Sequence, residues 1–361
     1  MGDNTTIRNL PEAVPFPDGR PIIELPQISL KGLFDHDQGE IDKIWNICRS
    51  MGFFYLNLAD DPRGIKLWND GVDACGVGQA TLHTLSMEEK LEYKSRDSRG
   101  IFEMGYKCPS IGPNGEPEFS EAFNVPLYEM TTDPNLGFQL PPWLRKHRDL
   151  FTSLMQNGNT IFDLLLGILE KKLQLSDGEL KSLHRFADPS NDFLRLLRYP
   201  GIPEGTKVAQ TNFPPHRDAV SIAILFTWIG GLQTLDPEFE KKLQNGGLNR
   251  HVNSTHDDGW RWIKPIPGHV VVNMGAVLSI LTNGLLKSGY HRVVSAPGAQ
   301  KSVDKYSVLL CYRPALATKM SPLVSSVIPP QTPKQQKTSV LTFEEWGAQA
   351  SIKLPPFWKN R

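Results

Sequence analysis

The chain has 361 residues, of which 39% are hydrophobic and 22% are charged, as in an ordinary globular protein. Its 39 basic and 39 acidic side chains balance, which gives no electrostatic reason to expect nucleic acid or an anionic membrane as a partner. No apolar run is long enough to cross a bilayer, and the first residues lack the apolar core of a signal peptide. The four cysteines form no CxxC pair, which disfavours a zinc ribbon. We therefore expect a cytoplasmic protein.

The first half of the chain is predicted to be mostly helical. Apolar residues recur at spacings of three and four over 39–51, and this helix leads into a short apolar strand at 52–56. Further helical patterns cover 64–95 and 143–174. The stretch 96–120 is rich in Gly, Pro and Ser, which is typical of a loop.

From about residue 193 the pattern changes to short β-rich runs. These runs are RLLRYP, SIAILFTW, HVVVNMG, AVLSIL, YHRVVS and YSVLLCYRP. Many short strands at close spacing predict a sandwich or barrel, and helices followed by strands predict an α+β chain. A last helix should begin at Thr342, where Thr342 and Glu345 match a capping box. We place the helical region at 1–190, the β core at 191–320, and a tail with the last helix at 321–361.

One of three His-x-Asp pairs is a candidate metal site. The pairs are His147–Asp149, His216–Asp218 and His256–Asp258. Histidine and carboxylate form the facial triad of non-haem iron sites, and residues i and i+2 share a face on a strand but diverge on a helix. The first pair opens a predicted helix, and the third lies in a polar stretch without a rigid support. His216 and Asp218 lead directly into an apolar strand, so we choose them.

The third ligand should come from another strand. His291 opens the run HRVVS, and His269 opens the run HVVV. Both residues are candidates from spacing alone.

Six motifs follow one another in a familiar order. They are HRD at 216–218, GGLQ at 230–233, PIPGHVVVNMG at 265–275, TNG at 282–284, SGYHRVVS at 288–295 and KYSVLLCYRP at 305–314. In this series the chain resembles the iron(II)/2-oxoglutarate dioxygenase family that includes isopenicillin N synthase and the flavonoid and gibberellin oxygenases. PIIELPQIS and MGFFYLN resemble the family's N-terminal region, so the resemblance covers about residues 20–320. It implies a double-stranded β-helix (jelly roll) with the metal at its open mouth, and it selects His291 over His269.

The resemblance also implies Fe(II), 2-oxoglutarate and O2 as cofactors. Lys305 and Ser307 stand at the family's Arg-x-Ser motif, which holds the distal carboxylate of 2-oxoglutarate. Lysine supplies the charge of that arginine but not its bidentate fork. Tyr199 matches a family tyrosine that donates to the same carboxylate. Residues flanking the strands should line the substrate pocket, and we name Phe123, Arg198, Phe226 and Leu232.

The expected activity is oxidation of an unactivated C–H bond of a mid-sized organic molecule, as in secondary metabolite biosynthesis, by hydroxylation, desaturation or ring closure. Two alternatives remain open. One is an iron oxidase of the isopenicillin N synthase type that uses no 2-oxoglutarate, and the other is a non-catalytic jelly-roll binding protein. The polar stretch 236–259 is longer than the family's hairpin at this place, and it is either a lid over the mouth or a solvated extension.

Overall fold

A computed structural model describes the chain at residues 6–10, 14–93, 104–107, 120–131, 140–188, 190–203, 211–244, 258–336 and 340–352. Within these ranges the strands form two sheets, and helices cover the outer face of the larger one. The α+β composition expected from the sequence is confirmed.

The larger sheet has eight strands in the order β1-β2-β10-β7-β12-β5-β4-β3, and the smaller has four in the order β6-β11-β8-β9. The strands are β1 (Gln27–Ser29), β2 (Phe53–Asn57), β3 (Gly105–Lys107), β4 (Glu121–Pro126), β5 (Phe193–Tyr199), β6 (Thr211–His216), β7 (Ile222–Thr227), β8 (Leu232–Leu235), β9 (Trp260–Trp262), β10 (His269–Met274), β11 (His291–Val294) and β12 (Lys305–Tyr312). Side chains from both sheets, including Phe53 of β2 and Leu232 of β8, share one apolar cluster, so the two sheets pack face to face.

The helices are α1 (Leu30–Phe34), α2 (Gln38–Ser50), α3 (Pro62–Thr84), α4 (Met87–Glu92), α5 (Leu127–Thr131), α6 (Pro142–Lys146), α7 (Arg148–Lys172), α8 (Pro237–Gln244), α9 (Ala276–Leu281), α10 (Pro333–Gln336) and α11 (Phe343–Ile352), with 3₁₀ turns at Lys181–His184 and Gly298–Ser302. On α7 the buried residues recur every three or four positions, which is the stripe that a helix needs to pack on a sheet. No helix in the described ranges is both long and apolar enough to cross a bilayer.

The strands of the larger sheet separate a helix-covered core from the space between the sheets. On β12 the even-numbered residues, such as Val308 and Leu310, belong to the helix-covered core. The odd-numbered residues point the other way, since side chains alternate along a strand. They include Lys305, which lies against Gly231, the residue directly before β8 of the smaller sheet. Polar residues on this inner face are therefore placed in the interior of the sandwich.

Several boundaries have local causes. The helix predicted over 64–95 is divided between α3 and α4 because Ser86 and Glu89 form a capping box that starts a new helix. The helix α2 ends at Ser50, and Gly52, two residues later, has a φ of +70° that favours glycine and turns the chain directly into β2. The capping box predicted at Thr342 is confirmed by the Glu345 N–H, which donates to Thr342 Oγ1 at 3.2 Å.

The prediction of a strand at AVLSIL is wrong. These residues form α9, which follows Gly275 at the end of β10. A short apolar run does not distinguish a buried strand from a buried helical turn. The Ala276 N–H donates to the carbonyl oxygen of Asp218 at 2.8 Å, so α9 begins directly beside the candidate metal site.

Candidate active site

The side chains of His216, Asp218 and His291 converge at the ends of two paired strands. His216 ends β6, His291 begins β11, and the two residues are directly opposite each other in the antiparallel register. One donor atom from each of the three side chains lies within 4.8 Å of the others. In the part of the chain that the structure describes, no other group of three His, Cys, Asp or Glu side chains meets this condition.

The hydrogen bonds of the two histidines fix which ring nitrogen faces the centre. His216 Nδ1 donates to the Pro214 carbonyl at 2.8 Å, and His291 Nδ1 donates to the Gly289 carbonyl at 3.2 Å. A carbonyl oxygen only accepts, so each ring in its neutral form carries its proton on Nδ1 and presents the Nε2 lone pair to the centre. His216 Nε2 lies 3.2 Å from Asp218 Oδ1, and His291 Nε2 lies 3.7 Å from Asp218 Oδ2. Lone pairs this close repel unless a cation lies between them, so this donor set fits a divalent metal ion.

The protonation states also suit metal binding. Burial, together with the neighbouring His216, lowers the pKa of His291 to about 4, so its ring is neutral near pH 7. Burial opposes ionisation of Asp218, but His291, His216 and the Asn273 amide outweigh it and hold the pKa of that carboxyl well below its usual range. Asn273 Nδ2 donates to Asp218 Oδ2 at 2.8 Å and leaves the other oxygen directed at His216.

Aromatic rings hold both histidines from the side. Phe53 packs edge-on against His291 with ring centroids 5.5 Å apart, and Phe213 packs edge-on against His216 at 4.6 Å. Phe213 and His216 are three residues apart, but a register shift between them brings both to one face. Pro214 and Pro215 lie in this bulge, where a missing N–H is tolerated. Phe213 cannot be placed beside His216 from the sequence alone, because the bulge changes the alternation of faces.

The other histidine candidates lie elsewhere. His147 separates α6 from α7, and His269 at the start of β10 donates from Nδ1 to the Pro267 carbonyl at 3.0 Å. Neither residue is part of the converging group. His256 lies outside the described residues.

Lys305 is a buried cation on the inner face of β12. Its side chain is 5% exposed, and its ammonium group lies 5.6 Å from the ring centroid of Tyr199, the residue opposite it on β5. Burial lowers the pKa of Lys305 to about 8, so the side chain is mostly charged near neutral pH. Among the described residues the structure gives it no carboxylate partner. Ser307, two residues along the strand and 3% exposed, shares its face.

The separation between Lys305 and the histidine centre can be read along β8. Lys305 Nζ lies against Gly231, while Thr234 on the same segment is directly opposite His291. Three residues of strand span about 10 Å. Leu232 lies between these two points, opposite Val293, and its side chain belongs to the apolar cluster between the sheets.

Three of the four residues predicted to contact substrate do not lie on the inner face of the larger sheet. Phe123 and Phe226 lie in the helix-covered core, where Phe226 packs against Trp68 and Phe123 against Trp143. Their strands carry apolar residues on both faces, so the sequence did not show which face is the inner one. Arg198 is opposite Tyr306 and so also points away from the inner face, where ion pairs hold it to Glu121 at 3.3 Å and Asp304 at 2.9 Å.

Arg195 is an inner-face cation that the sequence analysis did not single out. It is directly opposite Leu309, which points to the inner face of β12. Its Nε donates to Asn124 Oδ1 at 2.7 Å, and its guanidinium lies 4.8 Å from the ring centroid of Phe193. The sequence did contain a signal for Arg195. It lies four residues before Tyr199 on the same strand, so the two side chains point to the same face.

Comparisons with known proteins agree with this geometry. A sequence model of the 2OG-Fe(II) oxygenase superfamily matches residues 190–314. A 2-oxoglutarate-dependent dioxygenase of Aspergillus fumigatus is 41% identical over 334 residues, which are 92% of this chain and 86% of that protein. Codeine O-demethylase of Papaver somniferum is 26% identical over 322 residues, which are 86% of this chain and 77% of that enzyme. A crystal structure of a Neurospora crassa protein in complex with alpha-KG superposes with a TM-score of 0.69 at 19% identity, covering 93% of this chain and 97% of that one.

The fold is therefore the jelly roll of iron oxygenases, as expected from the sequence. The chain belongs to the 2OG-Fe(II) oxygenase superfamily. It is a 2-oxoglutarate-dependent dioxygenase, and its cofactors are Fe(II), 2-oxoglutarate and O2.

Proposed function

We propose that His216, Asp218 and His291 are the three protein ligands of Fe(II). The observation that carries this assignment is the pair of Nδ1 hydrogen bonds, which turn both Nε2 lone pairs toward the Asp218 carboxylate. Two histidines and one carboxylate on one side of the metal leave positions free for O2 and a chelating cosubstrate. Asn273 orients the carboxylate, and the two carbonyls orient the rings.

We infer that Lys305, Ser307 and Tyr199 receive the distal carboxylate of 2-oxoglutarate. Lys305 is a buried cation without a carboxylate partner among the described residues, and an anionic ligand supplies the missing charge. The separation of about 10 Å between Lys305 and the level of His291 suits a five-carbon diacid that also reaches the metal. Leu232, one residue after Gly231, is then a wall of the cosubstrate pocket rather than a substrate contact.

Bound Fe(II) would allow O2 to oxidise 2-oxoglutarate to succinate and CO2 with one oxygen atom, and to oxidise a substrate C–H bond by two electrons with the other. The protein residues orient both molecules and exclude water. The substrate is proposed to be a mid-sized organic molecule of secondary metabolism, which is the kind of molecule that codeine O-demethylase is named for. The half-buried guanidinium of Arg195 on the inner face favours a substrate with an acidic or carbonyl oxygen.

The test measures Fe(II) binding and succinate release from 2-oxoglutarate for His216→Ala, Asp218→Ala and His291→Ala. Each variant loses one of three ligands, so we expect metal affinity to fall by more than about 100-fold, which exceeds the effect of losing a residue that only supports a ligand. His269→Ala, on a strand of the same sandwich, is the matched control and should keep both properties. Equal losses of Fe(II) affinity and of succinate release in His269→Ala and His291→Ala would contradict the assignment.

A further inference from the structure

The residues beside the proposed iron ligands project away from the metal and carry charge. Arg217 lies between His216 and Asp218, and Arg292 follows His291. Adjacent residues of an extended chain point to opposite sides, so the ligands face the cavity and these arginines face outward. Arg217 contacts one end of the polar segment 236–259, and Arg292 contacts the other end.

The first end is the helix α8. Glu240 forms an ion pair with Arg217, and the Arg217 guanidinium also lies 5.3 Å from the ring centroid of Tyr290, which precedes His291. The first turn of the helix is capped, because Asp236 Oδ1 accepts from the Glu238 N–H at 2.9 Å. The helix therefore contacts Arg217, which adjoins two of the proposed ligands, and Arg217 in turn lies beside Tyr290, which adjoins the third.

The second end is Asp258. Its Oδ2 lies 3.4 Å from Arg292 Nη2, and the same guanidinium stacks over Trp260 at 4.3 Å from the ring centroid. Arg292 Nε donates to Gln233 Oε1 at 2.7 Å, which fixes the direction of the arginine.

The two ends are joined at their base. The Asp236 N–H donates to the Gly259 carbonyl at 2.8 Å, and the Phe239 ring lies where a side chain on Gly259 would be. Glu240 and Asp258 are therefore held on one closed unit, and that unit contacts the outward side of both ligand-bearing strands. The residues 245–257 between them lie outside the described ranges.

We propose that Glu240 and Asp258 form an outer brace that positions His216, Asp218 and His291 for the metal. This inference rests on the proposed metal site. The outer brace holds the two strands from behind, through Arg217 and Arg292, so that three donor atoms keep a spacing that a metal fits. A lid would act differently, because it would contact the substrate and change substrate kinetics instead of metal affinity.

The effect of each contact is modest because both ion pairs are partly exposed. The Arg217 side chain is 35% exposed and the Asp258 side chain 56% exposed. Exposed pairs contribute little singly, and partners that orient a metal ligand directly change metal affinity by about 10- to 100-fold. We expect the outer brace, one contact further out, to change it by about threefold to tenfold per residue.

The experiment titrates the full-length, metal-free protein with Mn(II), a probe that accepts the same nitrogen and oxygen ligands, and follows free Mn(II) by electron paramagnetic resonance. The variants are Glu240→Gln, Asp258→Asn and both together. Lys241→Gln is the control, because Lys241 lies on the same helix and pairs only with the exposed Glu238 in the described residues. We expect a weaker Mn(II) affinity in each variant, a larger loss in the double variant, an unchanged control and unchanged melting temperatures of the metal-free proteins.

Wild-type Mn(II) affinity in the double variant would overturn the outer brace, and so would a lower affinity accompanied by a lower melting temperature of the metal-free protein. His291→Ala separates this failure from that of the proposed function. If His291→Ala binds Mn(II) normally, the metal site itself is wrong; if only the double variant binds normally, the site stands and the outer brace does not.

Discussion

Gly231 lies directly against the ammonium group of Lys305. A Cβ atom on residue 231 would come within 3.1 Å of Lys305 Nζ and 2.8 Å of the Val294 carbonyl oxygen. The φ of Gly231 is +123°, a conformation that other residues rarely adopt. The space that Lys305 occupies thus depends on a missing side chain in the opposite sheet.

Gly231→Ala should therefore weaken 2-oxoglutarate binding. The methyl group displaces the ammonium, and a partial loss of a buried charge contact of about 1–2 kcal/mol raises the KM for 2-oxoglutarate roughly tenfold. Gly284→Ala is the matched control, because Gly284 also has a positive φ, of +78°, but no neighbouring atom within 4 Å of an added Cβ. Steady-state kinetics that show equal increases in KM for both variants would assign the effect to backbone strain alone.

The charge of Lys305 predicts a pH limit for cosubstrate binding. Burial lowers its pKa to about 8 from an ordinary value of 10.5, so the ammonium is present below pH 8 and is lost as the pH rises through it. The Kd for 2-oxoglutarate should rise about tenfold per pH unit above that pKa. By linkage, the free protein gains stability from this group as the pH rises from 8 toward 10.5, since the unfolded chain then holds more protons.

Lys305→Arg checks this limit, because arginine keeps its charge throughout the range. The Kd of the variant, measured by calorimetry, should not depend on pH in this region. A wild-type protein whose Kd also stays constant to about pH 9 would contradict the role of Lys305.

Asn273→Ala should weaken metal binding without removing a ligand. The amide donates to Asp218 Oδ2 at 2.8 Å, and its loss frees the carboxylate to rotate. Loss of such a partner lowers metal affinity by about 10- to 100-fold. Metal titration followed by assay at saturating Fe(II) checks the prediction, since turnover should largely return. No recovery at saturating metal would mean that Asn273 acts on another step.

Arg198→Ala should affect stability rather than substrate recognition. Arg198 connects Glu121 and Asp304, and its side chain is only 19% exposed. Leaving these carboxylates without their partner should lower the free energy of unfolding by about 1–3 kcal/mol, less than for a fully buried pair. Urea unfolding measures this change, and a substrate KM that rises with stability unchanged would restore Arg198 as a substrate contact.

Arg195→Gln should change which molecules stimulate turnover. A library of acids and their neutral amides or esters can be screened for stimulated succinate release. If Arg195 receives an anionic oxygen, acids should lose their advantage over neutral analogues in the variant, by roughly tenfold to 100-fold for a charge-assisted contact of about 1.5–3 kcal/mol. An unchanged preference would exclude Arg195 from substrate binding.

Alternation along strands was enough to predict one part of the site. His216 and Asp218 were chosen over two other His-x-Asp pairs because they lead directly into an apolar strand, and the structure brings them together with His291. The sequence also predicted that Lys305 and Ser307 share a face, since the spacing of two is independent of the pairing partners.

The remaining features of the site could not be predicted without knowing how the strands pair. β7 is apolar on both faces, so the inward direction of Leu225 and the outward direction of Phe226 depend on which residues of β12 they pair with. Phe213 joins the face of His216 only through a bulge that the sequence marks by two prolines. The helix α9 was missed because an apolar run of six residues fits both states, and its contact with Asp218 decides between them.

Asp236 and Gly259 are joined directly by a hydrogen bond, so their contact does not depend on the length of the chain between them. Because the two ends are joined by their own hydrogen bond, we expect a change in the number of residues between Asp236 and Gly259 to alter the closure entropy of the segment only slightly. Related chains can therefore diverge in this stretch while the jelly roll stays the same. The same property makes this stretch a suitable point for inserting an affinity tag or a fluorescent reporter in an otherwise intact enzyme.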